Sequence, residues 1–431
     1  FFISFISLIF FFFVSSGIFF STVGLNTKKF NSLIIDQIKK KEPSINIEIN
    51  KIKIKLNIKD ANIYLSTKNP SVNYQDVNLP INNIKIFINL FSLLDSKPKI
   101  ESIVVAINEL NINDFKKIIT RIKPSNFKSF FLNNIQKGFI KGDFEVMFSK
   151  ESKIIDYKTN GEIKKMNINI LNKFNITNTN FNFIADKDLI LINGLSADFR
   201  NIKTIDGYID IKTKDNLIIN GEIKTSIDTK NGRLKELLPN NKNLKILNNK
   251  IKLQGSSVSK FNLNFSKSLE LTEYNFNLNG QIHDSQIILN DKIKSAYLKN
   301  KISKLNFDKT NVRFNLSKNK DNSISINGLY NLDNKNYEKF EIENTFNKSG
   351  NKFNLNFDFN EEIILNFLNY KKNKKKTANI SSKFLLNNKK INIYNIDYKE
   401  GKNIILFEDI KIKNKKFKSL KKVKVKTYFK N

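Results

Sequence analysis

The residues of this chain that could carry out acid–base chemistry are few and scattered. The single histidine, His283, is followed by Asp284 and Ser285, and these are the residue types of a hydrolytic triad. Consecutive residues of a strand face opposite sides of a sheet, so the three side chains cannot converge on one substrate. We therefore expect His283 to be an exposed strand residue, and we predict that the protein is not an enzyme.

The sequence also predicts no metal site and no cofactor. The acidic stretches at Asp186 to Asp188 and at Glu361 and Glu362 lack the Gly-containing loop and regular oxygen ligands of a calcium site, so we interpret them as solvated turns. The chain has no cysteine, which excludes disulfides, Cys-ligated zinc and thiol nucleophiles. It also has no phosphate-binding or dinucleotide-binding glycine motif.

The net charge of +34 raises the question of a nucleic-acid partner. Lys, Asn, Ile and Phe are all abundant, as AT-rich codons favour, and most lysines are interspersed singly along alternating segments. Alternation places the aromatic side chains and the charges on opposite faces, whereas a stacking platform for bases needs them on one surface. We therefore expect no nucleic-acid partner.

The first twenty residues, "FFISFISLIFFFFVSSGIFF", carry no charge. A helix of that length spans about 30 Å, which matches the bilayer core. A cleaved signal peptide is the alternative, but no small-x-small cleavage site follows clearly. The sequence predicts an uncleaved transmembrane anchor over residues 1–23.

A mixed helical and strand region is predicted over residues 24–143. Phe30, Leu33, Ile34 and Ile38 have helical spacing before a proline, which predicts one amphipathic helix. Alternating strands follow, and they change phase near residues 50 and 60. Two further segments, "INLFSLLDSKP" and "NDFKKIITRIKP", also have helical spacing, with a strand between them. We interpret this region as a short helical cap at the start of a sheet.

From residue 144 to residue 431 the pattern is strand after strand with a period of two, interrupted by one helical signal at "GRLKELLP". Asn-Gly pairs recur in "NGEIK", twice, and in "NGQIH" and "NGLYN". Asn-Gly is a strong hairpin signal and predicts antiparallel meanders, although a glycine inside a strand could instead allow a sharp bend. We expect an elongated antiparallel sheet.

Such a sheet has one apolar face that must be covered. Too few helices are predicted after residue 143 to cover it, and a sheet of this width must curl or split. Two arrangements remain open at this point. The strands either form closed β-sandwiches or line a long trough whose apolar inside holds lipid.

The segments "KKKEPSINIEINKIKIKLNIKDANIYLS" and "VNLPINNIKIFINLFSLLDSKPKIESIVVAINELNI", following an N-terminal anchor, resemble the start of AsmA-like proteins, the broad group that includes the relatives of TamB and YhdP. The resemblance covers roughly the first third of the chain. It implies an inner-membrane-anchored, single-pass protein of a Gram-negative bacterium with its bulk in the periplasm. It also implies a curled sheet whose groove conducts phospholipid toward the outer membrane, and an outer-membrane protein as a possible partner.

The expectation is therefore a mainly β protein with an N-terminal transmembrane helix, a short helical cap and a long curled antiparallel sheet that forms an apolar groove. The alternative is a non-enzymatic periplasmic scaffold or assembly factor with a closed sandwich core. The candidate groove residues are Ile45, Ile47, Ile49, Ile52, Ile54, Leu56, Ile58, Phe181, Phe183, Phe261, Leu263, Phe265, Phe276, Leu278, Phe314, Leu316, Phe353, Leu355, Phe357 and Phe359.

Overall fold

The structure is a computed structural model of the chain. The described residues are 2–93, 99–120, 124, 126–149, 151, 153–170, 174–214, 216–233, 249–295, 297, 301–333, 336–347, 350–366, 370–374, 376–387, 390–414 and 416–428.

The described residues form four α-helices and a 3₁₀ turn at Phe91–Leu93. The helices are α1 (Phe2–Thr22), α2 (Asn31–Lys41), α3 (Ile112–Ile119) and α4 (Asn126–Asn134).

All other regular elements in the described part of the chain are strands. They are β1 (Leu25–Thr27), β2 (Ile45–Glu48), β3 (Ile52–Asn57), β4 (Asn62–Lys68), β5 (Ser71–Tyr74), β6 (Val77–Leu79), β7 (Ile81–Asn89), β8 (Ile100–Asn111), β9 (Ile135–Phe148), β10 (Ile154–Ile170), β11 (Phe174–Asp186), β12 (Leu189–Phe199), β13 (Ile202–Lys212), β14 (Leu217–Arg233), β15 (Lys250–Phe265), β16 (Leu271–Ile293), β17 (Ile302–Ser317), β18 (Asn322–Leu332), β19 (Glu338–Asn347), β20 (Gly350–Phe359), β21 (Ile363–Leu365), β22 (Tyr370–Lys372), β23 (Ala378–Asn387), β24 (Lys390–Glu400), β25 (Asn403–Lys413) and β26 (Lys416–Lys426).

The fold is mainly β, as the alternating pattern predicts. Twenty-one of the strands belong to one large antiparallel sheet, and smaller sheets of three and two strands accompany it. Ile and Phe alternate with Asn and Lys along most strands, and such residues suit a pleated surface that is buried on one side only. The chain divides into two compact units, unit 1 (residues 1–199 and 207–215) and unit 2 (residues 200–206 and 216–431).

In unit 1 the strands pair in the order β1, β3, β4, β7, β8, β9, β10, β11 and β12. The strands β2, β5 and β6 form the separate three-stranded sheet. Within the range predicted as the cap, β7, β8 and β9 are strands of the large sheet.

In unit 2 the strands from β14 to β20 pair in chain order, and β23, β24, β25 and β26 continue the same up-and-down meander. The short hairpin β21–β22 leaves the sheet between β20 and β23. Several strands are long, and β16 reaches 23 residues.

The prediction that the Asn-Gly pairs form hairpin turns is wrong. Gly161, Gly221, Gly280 and Gly328 all lie inside strands, paired on both sides or on one. A side chain at Gly328 would place its Cβ 2.5 Å from Thr310 Oγ1 and 2.6 Å from Thr310 Cα. The alternative of a glycine inside a strand therefore describes these four positions, and at Gly328 the structure adds a close approach of the neighbouring strand.

The helical segments are confirmed in part. Helix α2 matches the predicted amphipathic helix, and α3 begins the second predicted segment, "NDFKKIITRIKP". The segment "INLFSLLDSKP" does not form a helix over its described part, because β7 continues through Asn89 and only a 3₁₀ turn follows. The sequence pattern did not predict α4. The segment "GRLKELLP" lies outside the described residues from position 234 onward.

Helix α1 occupies most of the predicted anchor. In the part of the chain that the structure describes, no helix combines the length and the apolar character that a membrane span needs. The transmembrane anchor over residues 1–23 therefore stays a prediction.

Candidate apolar binding face

A continuous apolar face runs across the first strands of unit 2. Directly opposed residues of antiparallel strands project to the same side of a sheet. Phe261 of β15 lies opposite Phe276 of β16, which in turn lies opposite Leu316 of β17. Leu278 lies opposite Phe314 in the same way. The predicted groove residues of these strands therefore share one surface.

The same face continues across the later strands of unit 2. Phe357 of β20 lies opposite Phe340 on one side and Ile380 on the other. Phe353 lies opposite Phe384 of β23. The side chains of one strand thus meet apolar partners on both neighbouring strands.

Aromatic contacts connect these rows. The ring centroids of Phe276 and Phe314 are 5.9 Å apart in an edge-to-face arrangement. The rings of Phe314 and Phe346 stack at 6.5 Å, and those of Phe353 and Phe384 stack at 4.8 Å. Each such pair contributes about 0.5–1.5 kcal/mol beyond the burial of its area, so the rings stabilise the register of their strands.

The apolar side chains between β15 and β17 remain partly open. Phe261, Leu263, Phe276, Leu278 and Phe314 are all half-buried, whereas the side chains of a closed core would be inaccessible. Among the described residues of unit 2, the elements in extensive contact are strands that pair with each other in the sheet or in the small hairpin. Unit 2 itself contains no described helix that could cover this part of the face.

The opposite face of unit 2 is polar and is held by side-chain hydrogen bonds and ion pairs between strands. Asn262 Nδ2 donates to Asn220 Oδ1 at 2.5 Å, and Asn379 Nδ2 donates to Asn356 Oδ1 at 2.9 Å. Cross-strand ion pairs join lysines to the carboxylates of neighbouring strands, as in Lys252 Nζ to Asp284 Oδ2 at 2.6 Å. The excess lysines therefore line a solvated surface.

The hairpin β21–β22 packs on the apolar face at one end of unit 2. Ile363 and Tyr370 of the hairpin join a buried cluster with Ala378, Tyr398 and Ile405. Ala378 and Ile405 are 0% and 1% exposed, so the face is closed at this end. The hairpin is the only described layer on this part of the sheet.

A buried polar network fixes the hairpin. Tyr370 Oη bonds to Tyr398 Oη at 2.9 Å and donates a short bond to the carboxylate of Glu400, which is 4% exposed. Lys372 is fully buried and its Nζ donates to the Glu361 carbonyl at 3.0 Å and to a second backbone carbonyl. Lys371 and Lys372 begin the lysine-rich run "KKNKKK", and both belong to strand β22.

The ionisation of this network follows from burial and hydrogen bonding. Burial lowers the pKa of the Lys372 ammonium, against the attraction of the nearby carboxylates. Burial alone would raise the pKa of Glu400, but hydrogen bonds from Tyr370 and Asn403 bring it below its usual value. Burial raises the pKa of Tyr398 to about 12. The network is thus neutral at its tyrosines and carries one buried carboxylate at neutral pH.

In unit 1 the corresponding apolar side chains are covered by other elements. Helices α3 and α4 contribute Ile112, Ile119 and Phe131 to a buried cluster with residues of β8, β9 and β10. Helix α2 and the three-stranded sheet form a second cluster around Ile47 and Ile81. The unit 1 sheet therefore has a core at these two clusters, while Ile154 and Ile184 on its later strands are 67% and 58% exposed.

The predicted groove residues therefore occupy two environments. Ile45, Ile47 and Ile49 pack with α2, and Phe181 and Phe183 pack against the cluster of α3 and α4. Residues Ile52, Ile54 and Leu56 lie on β3, and Ile58 after it is exposed. The remaining predicted residues share the apolar face of unit 2: Phe261, Leu263, Phe265, Phe276, Leu278, Phe314, Leu316, Phe353, Leu355, Phe357 and Phe359.

Sequence reasoning missed several residues of this face, although their alternation is visible in "SISINGLYN" and "FEIENTF". The register adds the residues Ile219, Ile223, Ile324, Ile326, Phe340, Ile342, Ile380, Phe384 and Ile396 to the face.

The candidate triad residues His283, Asp284 and Ser285 lie in different surroundings. His283 is exposed on β16, Asp284 pairs with Lys252 and Ser285 is buried, and among the described contacts no hydrogen bond joins the three side chains. Across the described residues, no group of three His, Asp or Glu side chains could hold a metal ion.

Comparison with known proteins adds no assignment. No protein-family model, no curated protein and no solved structure matches this chain. The resemblance to AsmA-like proteins therefore stays a prediction.

Proposed function

We propose that the apolar face of unit 2 binds the acyl chains of phospholipids and shields them from water during transfer. The observation that carries this proposal is the continuous set of half-buried Phe, Leu and Ile side chains on β14 to β20, in a unit whose described residues include no helix. A face of this kind in a lone soluble chain would be an aggregation hazard, so it needs an apolar occupant.

The proposed mechanism is passive. Acyl chains lie along the Phe and Leu rows while the headgroup stays in water, and each methylene kept out of water contributes about 0.8 kcal/mol. No side chain has to form or break a bond. The protein is therefore proposed to be a carrier or conduit and not an enzyme.

The proposed location is the periplasm, with the protein anchored in the inner membrane through α1. Support comes from the uncharged run over residues 1–20 and from Phe10 to Phe13, which are 68–72% exposed. As part of the same proposal, the protein receives phospholipid from that membrane and delivers it toward the outer membrane. An outer-membrane protein is the proposed receiving partner.

A periplasmic scaffold is the second candidate function. The observation that favours it is the covered sheet of unit 1, where α2, α3 and α4 bury the apolar side chains. If unit 2 were covered in the same way by a partner protein, its face would be a protein interface and would carry no lipid.

Aspartate substitutions separate the two functions. Leu355→Asp places a charge on the apolar face, and we expect the purified chain to retain its β-sheet circular dichroism but to carry about tenfold less phospholipid after extraction, because a carboxylate disfavours acyl contact. Asn356→Asp, on the polar face of the same strand, should leave the lipid content unchanged.

A core position supplies the folding control. Ile405→Asp, at a side chain that is 1% exposed, should unfold unit 2. If Leu355→Asp unfolds the chain as Ile405→Asp does, or if the unsubstituted chain carries no phospholipid, the lipid-binding proposal is wrong.

A further inference from the structure

An open cavity of about 490 Å³ lies over strands β14 to β17 in unit 2. Its floor includes a cross-strand row on the polar face, in which Lys224 lies opposite Val258, Val258 opposite Asn279, and Asn279 opposite Arg313. These residues alternate with the apolar-face residues along each strand. We call this the Arg313 cavity, and it is separate from the apolar face discussed above.

The lining of the Arg313 cavity is rich in hydrogen-bond donors and lacks carboxylates. It contains the guanidinium of Arg313, the ammonium of Lys224 and the amides of Asn279, Gln281 and Asn311, with no Asp or Glu among its described residues. Lys224 Nζ is paired with Asp206 Oδ2 at 3.0 Å at the rim. The hydrogen bond and charge of Asp206 raise the pKa of Lys224, so this ammonium stays protonated.

Three donor side chains of the cavity lack the partners that other amides on this face have. Elsewhere the amides are paired across strands, as Asn262 is with Asn220. Within the described part of the chain, Asn279, Gln281 and Arg313 make no side-chain hydrogen bond or ion pair. Their donors are therefore available to a ligand in the cavity.

The unpaired cation of the cavity is an arginine, and this favours phosphate as its ligand. The chain has only four arginines, at positions 121, 200, 233 and 313, although Lys and Arg together number 74. A guanidinium presents a planar fork of N–H groups that binds two oxygens of a phosphate at once, which an ammonium cannot do. Three strand spacings, about 14 Å, separate the backbones of Arg313 and Lys224, so the two cations stand at opposite ends of the cross-strand row.

We propose that the Arg313 cavity binds the phosphate group of a hydroxylated organic phosphate. Arg313 takes two phosphate oxygens, and Asn279 and Gln281 donate to the remaining oxygens and hydroxyls. The same chemistry belongs to a soluble glycerol phosphate and to the headgroup of phosphatidylglycerol. The proposal does not depend on lipid binding by the apolar face.

The side-chain ¹⁵N resonances of the four arginines test this directly. The full chain in mild detergent is titrated with glycerol 3-phosphate, and we expect one arginine Nε signal, the one lost in Arg313→Lys, to shift saturably. Arg313→Gln should weaken binding at least tenfold. Lys383→Gln, which removes a charge from the same face outside the cavity, should change the affinity less than twofold.

Vesicles containing phosphatidylglycerol provide the second arm. Binding of vesicles that depends on Arg313, without binding of glycerol 3-phosphate, identifies a lipid headgroup as the source of the phosphate. Saturable binding of glycerol 3-phosphate identifies a soluble ligand. If neither probe binds, or if Arg313→Gln and Lys383→Gln weaken binding equally, the proposed site is wrong.

Discussion

Lys372 and Tyr398 are buried polar residues at the hairpin β21–β22 of unit 2. Lys372 sits in a lysine-rich run that suggests solvent, yet it is fully buried, with its ammonium bound to backbone carbonyls. Tyr398 lies in an ordinary alternating strand, yet its hydroxyl belongs to the same polar network. A buried network of this kind contributes to specific packing only while every member is satisfied.

Because burial raises the pKa of Tyr398, we expect the free energy of unfolding to depend on pH in the alkaline range. Its pKa is near 12 in the folded chain and near 10 when unfolded, so between these values the folded state binds more protons. The free energy of unfolding of the unsubstituted chain therefore falls as pH rises through this window. In Tyr398→Phe this decrease should be smaller by up to about 2–3 kcal/mol.

Urea unfolding followed by circular dichroism between pH 9 and pH 12 measures this. Tyr394 on the same strand is 49% exposed and Tyr398 is 7% exposed, so Tyr394→Phe is the matched control and should keep the pH dependence of the unsubstituted chain. Equal slopes for Tyr398→Phe and the unsubstituted chain would refute the prediction.

At the scale of elements, the glycines within strands decide how closely neighbouring strands approach. The Cβ of an alanine at position 328 would lie within 2.6 Å of two atoms of Thr310, which itself follows a bulge at Lys309 with a positive φ of 46°. At position 280 the nearest atom, Ser257 Cβ, is 3.3 Å away. The two Asn-Gly sites thus have different tolerance for a side chain.

We expect Gly328→Ala to lower the free energy of unfolding by about 1–3 kcal/mol, because the β17–β18 pair must separate to admit the methyl group. Gly280→Ala should change it by less than about 1 kcal/mol, since a small shift of Ser257 suffices. Equilibrium unfolding in urea gives both values. Equal effects at the two glycines would contradict the close approach at Gly328.

The sequence could predict the strands and the faces of unit 2, because a period of two directly encodes which side chains share a surface. It could not predict that the Asn-Gly pairs lie inside strands. The turn preference of Asn-Gly is local, and the pairing of strands such as β16 and β18 with their neighbours outweighs it. The burial of Lys372 and the covering of Phe181 by α3 and α4 depend on residues far away in the chain, so no local pattern reveals them.

At the scale of the whole molecule, the two units use the same strand pattern in different ways. Unit 1 covers its apolar side chains with α2, α3, α4 and a small sheet. In the described part of unit 2, the hairpin β21–β22 closes the face at one end, and the rows around Phe276 and Phe314 are half-buried. We therefore assign the proposed lipid-binding role to unit 2.

Photo-cross-linking in intact cells is the most direct test of that role. A photoreactive phenylalanine analogue at position 276 faces the apolar side, and the same analogue at position 277 faces the polar side of β16. The lipid-binding account predicts that position 276 of the full chain gains the mass of a phospholipid after irradiation and that position 277 does not. Cross-links from position 276 to protein alone, or equal lipid labelling at both positions, would contradict it.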